Sequence, residues 1–180
     1  AGKLFAAPAY LFIFSVGFVI LRGTFEFLNG SLREVTLNSG TISIGSNQSL
    51  LSFAAIFMLM RALANGGSSL TGLEAISNGV SLFKAPEGKN ARTTTVLMAS
   101  MLGSLVVGVS LLAVWTHATP YESGTPTVIS QIASTVMGSG AFGHFVFLFV
   151  QFATMLILWT GANTPFSGFP FLANFIAEDG

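Results

Sequence analysis

Arg61-Ala62-Leu63-Ala64-Asn65-Gly66-Gly67-Ser68-Ser69-Leu70-Thr71-Gly72-Leu73-Glu74-Ala75-Ile76-Ser77-Asn78-Gly79-Val80 lies inside an apolar run that extends from Leu50 to about Phe83. One continuous helix over that run would reach about 50 Å at 1.5 Å per residue, against a hydrocarbon core of about 30 Å. The run must tilt steeply or break. Asn65-Gly66-Gly67-Ser68-Ser69 and Thr71-Gly72 supply the break, because glycine weakens a helix interior and hydroxyl side chains can take over freed backbone groups. The reading is a discontinuous helix in an all-α membrane protein.

Composition points the same way. Only 8% of the residues are charged and 52% are hydrophobic, with a mean hydropathy of +0.75, where a soluble domain needs about 25% charged residues to cover its surface. The seven basic and seven acidic residues cancel, which leaves no electrostatic case for nucleic acid. The absence of Cys removes disulfides, thiolate metal sites and Cys nucleophiles together. The chain starts Ala1-Gly2-Lys3 without Met and stops at Glu178-Asp179-Gly180; it is expected to be an internal piece of a longer protein.

On either side of the broken run, charge-free stretches predict further spans over residues 4–21, 93–115 and 142–162, with the broken one at 50–83. Pro8 falls near the start of the first, where a missing N–H costs least. Residues 22–49 and 116–141 read as loops, the former with a small hairpin over Val35-Thr36-Leu37 and Thr41–Ile44. Lys84–Arg92 reads as a charged connector, and Asn163-Thr164-Pro165 as a polar patch leading to a final segment, Phe169–Ala177. Val128, Ile129, Ile132, Ala133 and Val136 alternate at helical period with Ser130, Gln131, Ser134 and Thr135, which predicts a short amphipathic helix on the membrane surface or across the protein's mouth. Lys84, Lys89 and Arg92 place residues 84–92 in the cytoplasm by the positive-inside rule, with the two longer loops outside. The whole is then a multi-pass protein of the plasma (inner) membrane.

Several patterns carry little. Gly138-Ser139-Gly140-Ala141-Phe142-Gly143 matches the dinucleotide fingerprint but lacks a preceding strand, a βαβ unit and a downstream acid. Asn29-Gly30-Ser31 and Asn47-Gln48-Ser49 are glycosylation triplets of a kind common by chance. His117, Glu122 and His144 meet no metal-ligand spacing, and interfacial histidines are the plainer reading. No catalytic residue, metal or cofactor is expected, and the chain does not read as an enzyme.

The chemistry sits in the break. Ionisable groups at membrane depth are costly unless paired or water-lined, so they mark solute pathways by default. Glu74 is read that way; Arg61 serves either in coupling or as a structural or snorkelling cation. Unwound backbone over Gly66, Gly67 and Ser69 exposes carbonyls and helix ends suited to a cation or a small polar solute. Ser69 and Thr71 add hydroxyl oxygens, Gly72 continues the break, and Glu74 follows Thr71 by three residues on one helical face.

Arg61-Ala62, Gly66 and Leu70-Thr71-Gly72-Leu73-Glu74-Ala75-Ile76-Ser77-Asn78-Gly79-Val80 resemble the broken sixth helix of the amino acid–polyamine–organocation superfamily. They are more closely similar to the KimA-type potassium/proton symporters and their amino-acid-permease-like relatives. Lys89-Asn90-Ala91, Pro126 through Gly138, Ala162-Asn163-Thr164, Gly168-Phe169-Pro170 and Ala177–Gly180 extend the resemblance over nearly the whole chain from Pro8. Departures from the family pattern are Gly67 for Cys, Ser81 for Pro, Pro165 for a small residue and Glu178 for Arg. The resemblance implies helices five to eight of a LeuT-like fold, with Leu4–Leu21 as helix five and Thr71 and Glu74 in the potassium site. The first helix of that fold, which supplies half of any substrate site, is not in this sequence, so the chain alone is not expected to transport.

The expected function is therefore part of a secondary transporter moving potassium with protons, or else an amino acid, through the bilayer. In that reading Glu74 carries or balances charge, carbonyls near Gly66–Ser69 and the Thr71 hydroxyl coordinate the solute, and Ile129–Val136 forms an outer lid. A homodimer is compatible with it. A channel or membrane scaffold and a membrane enzyme built on His117, Glu122 or His144 are the competing readings.

Overall fold

The computed structural model describes residues 2–36, 53–67, 80, 83–121 and 123–179. Among them are five α-helices and no strand: α1 (Gly2–Leu28), α2 (Phe53–Gly67), α3 (Glu87–Trp115), α4 (Val128–Met137) and α5 (Ala141–Asp179). Three stretches are long and apolar enough to cross a membrane, Ala6–Leu28, Glu87–Trp115 and Ala141–Ala162. The chain forms two compact units, Ala1–Ile42 with Val107–Gly180, and Ser43–Val106.

Helix ends are where sequence and structure part. α1 continues seven residues past Leu21, through a segment read as loop, because Arg22 and Glu26 stand one turn apart and pair, Nε to Oε1 at 3.1 Å. Its end is where Asn29-Gly30 announced a turn. Ser31 N–H donates to Glu26 O at 2.9 Å and Gly30 N–H to Phe27 O at 3.0 Å, a Schellman closure with Gly30 at φ 66. Pro8 lies inside α1 rather than at its first turn. Val35 and Thr36, assigned above to a hairpin, have no regular structure, and the rest of that hairpin falls outside the described residues.

α3 starts at Glu87, six residues before the expected span. The charged connector is partly helical, its Glu87–Arg92 opening α3: Glu87 suits the positive end of the helix dipole, and Asn90 donates through Nδ2 to Lys84 O at 2.8 Å. Farther along, Thr93, Thr94, Thr95 and Ser100 turn their hydroxyls back to the carbonyls four residues earlier, which satisfies them in an apolar helix. The C-terminus repeats the Schellman pattern, Ala118 N–H to Ala113 O and His117 N–H to Val114 O. His117 takes the left-handed position at φ 56 that glycine usually fills.

α4 runs Val128–Met137, capped by the Thr127 hydroxyl, which accepts from Ser130 N–H, and closed by Gly138 at φ 70. One face of it is buried in the protein. Ile132, Ala133 and Val136 are buried at 1%, 0% and 1% exposure, and they join Val19, Leu112, Met137, Val146 and Val150 in the core of the first unit. Gln131, expected on the polar face, is also buried; its Nε2 donates to Thr119 O at 2.8 Å and Pro126 O at 3.1 Å, tying the preceding loop to the helix.

α5 packs on α1 and α4 and continues as one helix through the expected polar patch to Asp179. Its 39 residues make about 58 Å of helix. Pro165 and Pro170 lie within it, each lacking the N–H that would reach four residues back. Glycine permits close approaches: a Cβ on Gly23 would meet the Leu112 side chain at 2.6 Å, one on Gly108 the Ile20 side chain at 2.7 Å, and one on Gly143 would collide with the carbonyl oxygens of Met137 and Gly138. Gly143 thereby lets the turn after α4 fold against the start of α5, which is the physical role of the Gly138–Gly143 pattern.

Most of the helical surface is apolar and open. Along α1, Tyr10, Phe14, Phe18, Leu21, Phe25 and Leu28 follow one another at three- and four-residue spacing and all are exposed. A continuous stripe of this kind suits hydrocarbon and not water.

Candidate functional site

The broken-helix reading divides between described and undescribed residues. Arg61, Gly66 and Gly67 lie on α2, whose described part ends at Gly67; Ser69, Thr71, Gly72 and Glu74 lie outside the described residues. Arg61 is exposed and, among the described residues, has no ion pair or hydrogen bond. The two glycines are informative by contrast with Gly108 and Gly143: a Cβ on either Gly66 or Gly67 would meet no atom within 4 Å. Among the described residues, packing does not require glycine there. Both glycines are helical in α2, and the residues that would continue the expected break lie outside the described residues.

A second polar cluster escaped the sequence reading. A cavity of about 380 Å³ opens beside the last turns of α1 and the α4–α5 turn, lined by Arg22, Glu26, Ser31, Arg33, Ser139 and Gly140 among others. Arg22 and Glu26 line it as a pair, while Ser31 Oγ donates to Glu26 O at 3.2 Å. The available signal was the four-residue spacing of Arg22 and Glu26, which places opposite charges on one helical face; distance in sequence hid the glycines. Along α3, a shallower cavity of about 620 Å³ is bordered by Lys89, Arg92, Thr93 and Ser100 together with apolar side chains.

The two histidines make different contacts. His117 Nδ1 lies 3.7 Å from Glu34 Oε1, with both side chains largely exposed, and a pair so open to solvent contributes little. His144 stacks on Phe147 with ring centroids 6.4 Å apart, and Glu122 lies outside the described residues. Among the described residues no three His, Asp or Glu side chains come together as metal ligands would.

No protein-family profile matches the chain. It is 35% identical over 179 residues to the potassium transporter KimA of Bacillus subtilis (strain 168), an alignment that takes in 99% of this chain and 28% of that protein. The chain thus spans little more than a quarter of the length of the curated relative it matches. Similarity to a transporter over this whole length, with three helices able to cross a bilayer, marks an integral, multi-pass membrane protein.

Proposed function

We propose that this chain is one part of a secondary transporter that imports potassium together with protons. The observation that carries the reading is the 35% identity to a potassium transporter over 99% of the chain, which includes the entire stretch from Arg61 to Val80. The architecture proposed with it is a LeuT-like fold of the amino acid–polyamine–organocation superfamily, of which the chain provides helices five to eight. It works as a carrier and not as an enzyme.

The mechanism follows from the break. Backbone carbonyls near Gly66, Gly67 and Ser69 and the Thr71 hydroxyl are proposed as oxygen ligands, which a hard cation such as potassium prefers. Glu74 neutralises the cation's charge at membrane depth, where an unpaired ion is costly, and its protonation state links potassium to the proton. Gly72 keeps the second half of the helix from closing over the site. Arg61 sets the local field on the first half, in α2.

Uptake tests this directly. The complete protein, expressed in a cell deficient in potassium import, should restore growth at low potassium, and Glu74→Gln should lose that rescue while still reaching the membrane. Rescue that survives in Glu74→Gln, with proton coupling intact, would remove Glu74 from the site. A protein that reaches the membrane and gives no rescue would redirect the assignment to amino-acid transport, tested with radiolabelled amino acids.

A further inference from the structure

The cavity of about 380 Å³ at the end of α1 has a charge pattern that the transport reading does not use. Two guanidinium groups, Arg22 and Arg33, and one carboxylate, Glu26, line it. Glu26 is engaged by Arg22 at 3.1 Å. Arg33 has no ion pair or hydrogen bond among the described residues. The lining therefore carries one surplus positive charge, and it belongs to the free guanidinium. Ser139, also in the wall, has a hydroxyl with no partner among the described residues. These donors face an opening large enough for a small polar group, since ligand sites begin near 300 Å³.

The level of the cavity in the molecule narrows the ligand. It is bordered by Arg22 and Glu26 near the end of one candidate span, which closes at Leu28, and by Gly140 just before another, which opens at Ala141. Both ends belong to the first unit and line one cavity; if these spans cross a bilayer, their ends come near the level of the lipid phosphates. A guanidinium binds a phosphate through two parallel N–H donors, stronger than neutral hydrogen bonds. Among the described residues, the N–H groups of Ser139 and Gly140, both in the lining, have no backbone partner, and such groups can donate without adding charge.

We propose that this cavity is a binding site for a phosphate group, with Arg33 as its principal ligand, Ser139 as a second donor and the Arg22–Glu26 pair as a fixed wall. A phospholipid headgroup and free inorganic phosphate both carry that chemistry. The site uses neither Thr71 nor Glu74, so it stands or falls apart from the potassium reading.

The test uses the complete protein, delipidated in a neutral detergent, with bound lipid counted by native mass spectrometry. The probes are phosphatidylglycerol, diacylglycerol with the same acyl chains, and inorganic phosphate as competitor. Phosphatidylglycerol should be retained and diacylglycerol should not. Arg33→Gln should weaken phosphatidylglycerol binding about tenfold, the loss expected for one charge-assisted contact, and Ser139→Ala should weaken it less. Arg33 makes no contact whose loss would unfold the protein, so its variant remains interpretable. Competition by inorganic phosphate assigns the site to the phosphate alone, and its failure assigns it to the intact lipid; either supports the proposal. Equal retention of diacylglycerol, or unchanged phosphatidylglycerol binding in Arg33→Gln, overturns it.

Discussion

Replacing Gly143 with alanine tests the packing that joins α4 to α5. The added Cβ would lie 2.5 Å from Gly138 O and 2.9 Å from Met137 C, against ordinary contact at 3.4–4 Å, and would also overlap Met137 O. These obstacles are backbone atoms. They cannot rotate aside as a side-chain tip can, and Gly138 already sits at φ 70, ψ −177, a region open essentially to glycine alone, so the turn has little room to relax. Overpacking of a close-packed interior costs about 1–3 kcal/mol, and this site belongs at the upper end. Gly17→Ala is the internal control: no atom lies within 4 Å of its Cβ position, and alanine in a helix interior is favoured over glycine by up to about 1 kcal/mol. The assay is thermal unfolding of the complete protein in one detergent, followed by fluorescence-detected size exclusion. At about 2–4 °C per kcal/mol for a unit of 150–250 residues, Gly143→Ala should melt several degrees below the parent. Gly17→Ala should melt at or slightly above it. A Gly143→Ala protein as stable as its parent would refute the argument that the Gly138–Gly143 pattern exists for backbone approach.

Gln131→Leu should destabilise the first unit by about 2 kcal/mol, because it removes both side-chain hydrogen bonds to Thr119 O and Pro126 O; faster amide exchange confined to residues 117–127 would show it. Thr127→Ala should cost about 0.5–1 kcal/mol in the same melting assay, the low end for a helix cap, since its bond to Ser130 N–H is long at 3.3 Å.

The helices themselves were legible and their limits were not. Leu4–Leu21, Thr93–Trp115 and Phe142–Ala162 each fall inside a helix of the structure, because an unbroken apolar run leaves the backbone no partner in hydrocarbon except itself. The ends failed wherever charge was taken to mean loop. Arg22 and Glu26 cancel across one turn, and Glu87 favours the first turn of a helix. α4 was found by its period and capped where Thr127 stands, yet its polar face proved misleading at Gln131. An amide that binds two loop carbonyls is as buried as an isoleucine, and nothing in hydrophobic period reveals where those carbonyls lie. For the site, Gly66 and Gly67 still belong to helix α2, and the rest of the break, with Thr71 and Glu74, lies outside the described residues. The Arg22–Glu26–Arg33 cavity was not visible in the same way, since its walls are drawn from segments more than a hundred residues apart in sequence.

The length of α5 has a mechanical consequence. At about 58 Å it is nearly twice the thickness of the hydrocarbon layer, so a rotation of only 10° about one end sweeps the other through roughly 10 Å. Such a rod amplifies: a small rocking where α5 leans on α1 and α4 becomes a large stroke at Asp179. Its stiffness is not uniform, because the hydrogen bonds missing at Pro165 and Pro170 make a compliant joint near that end.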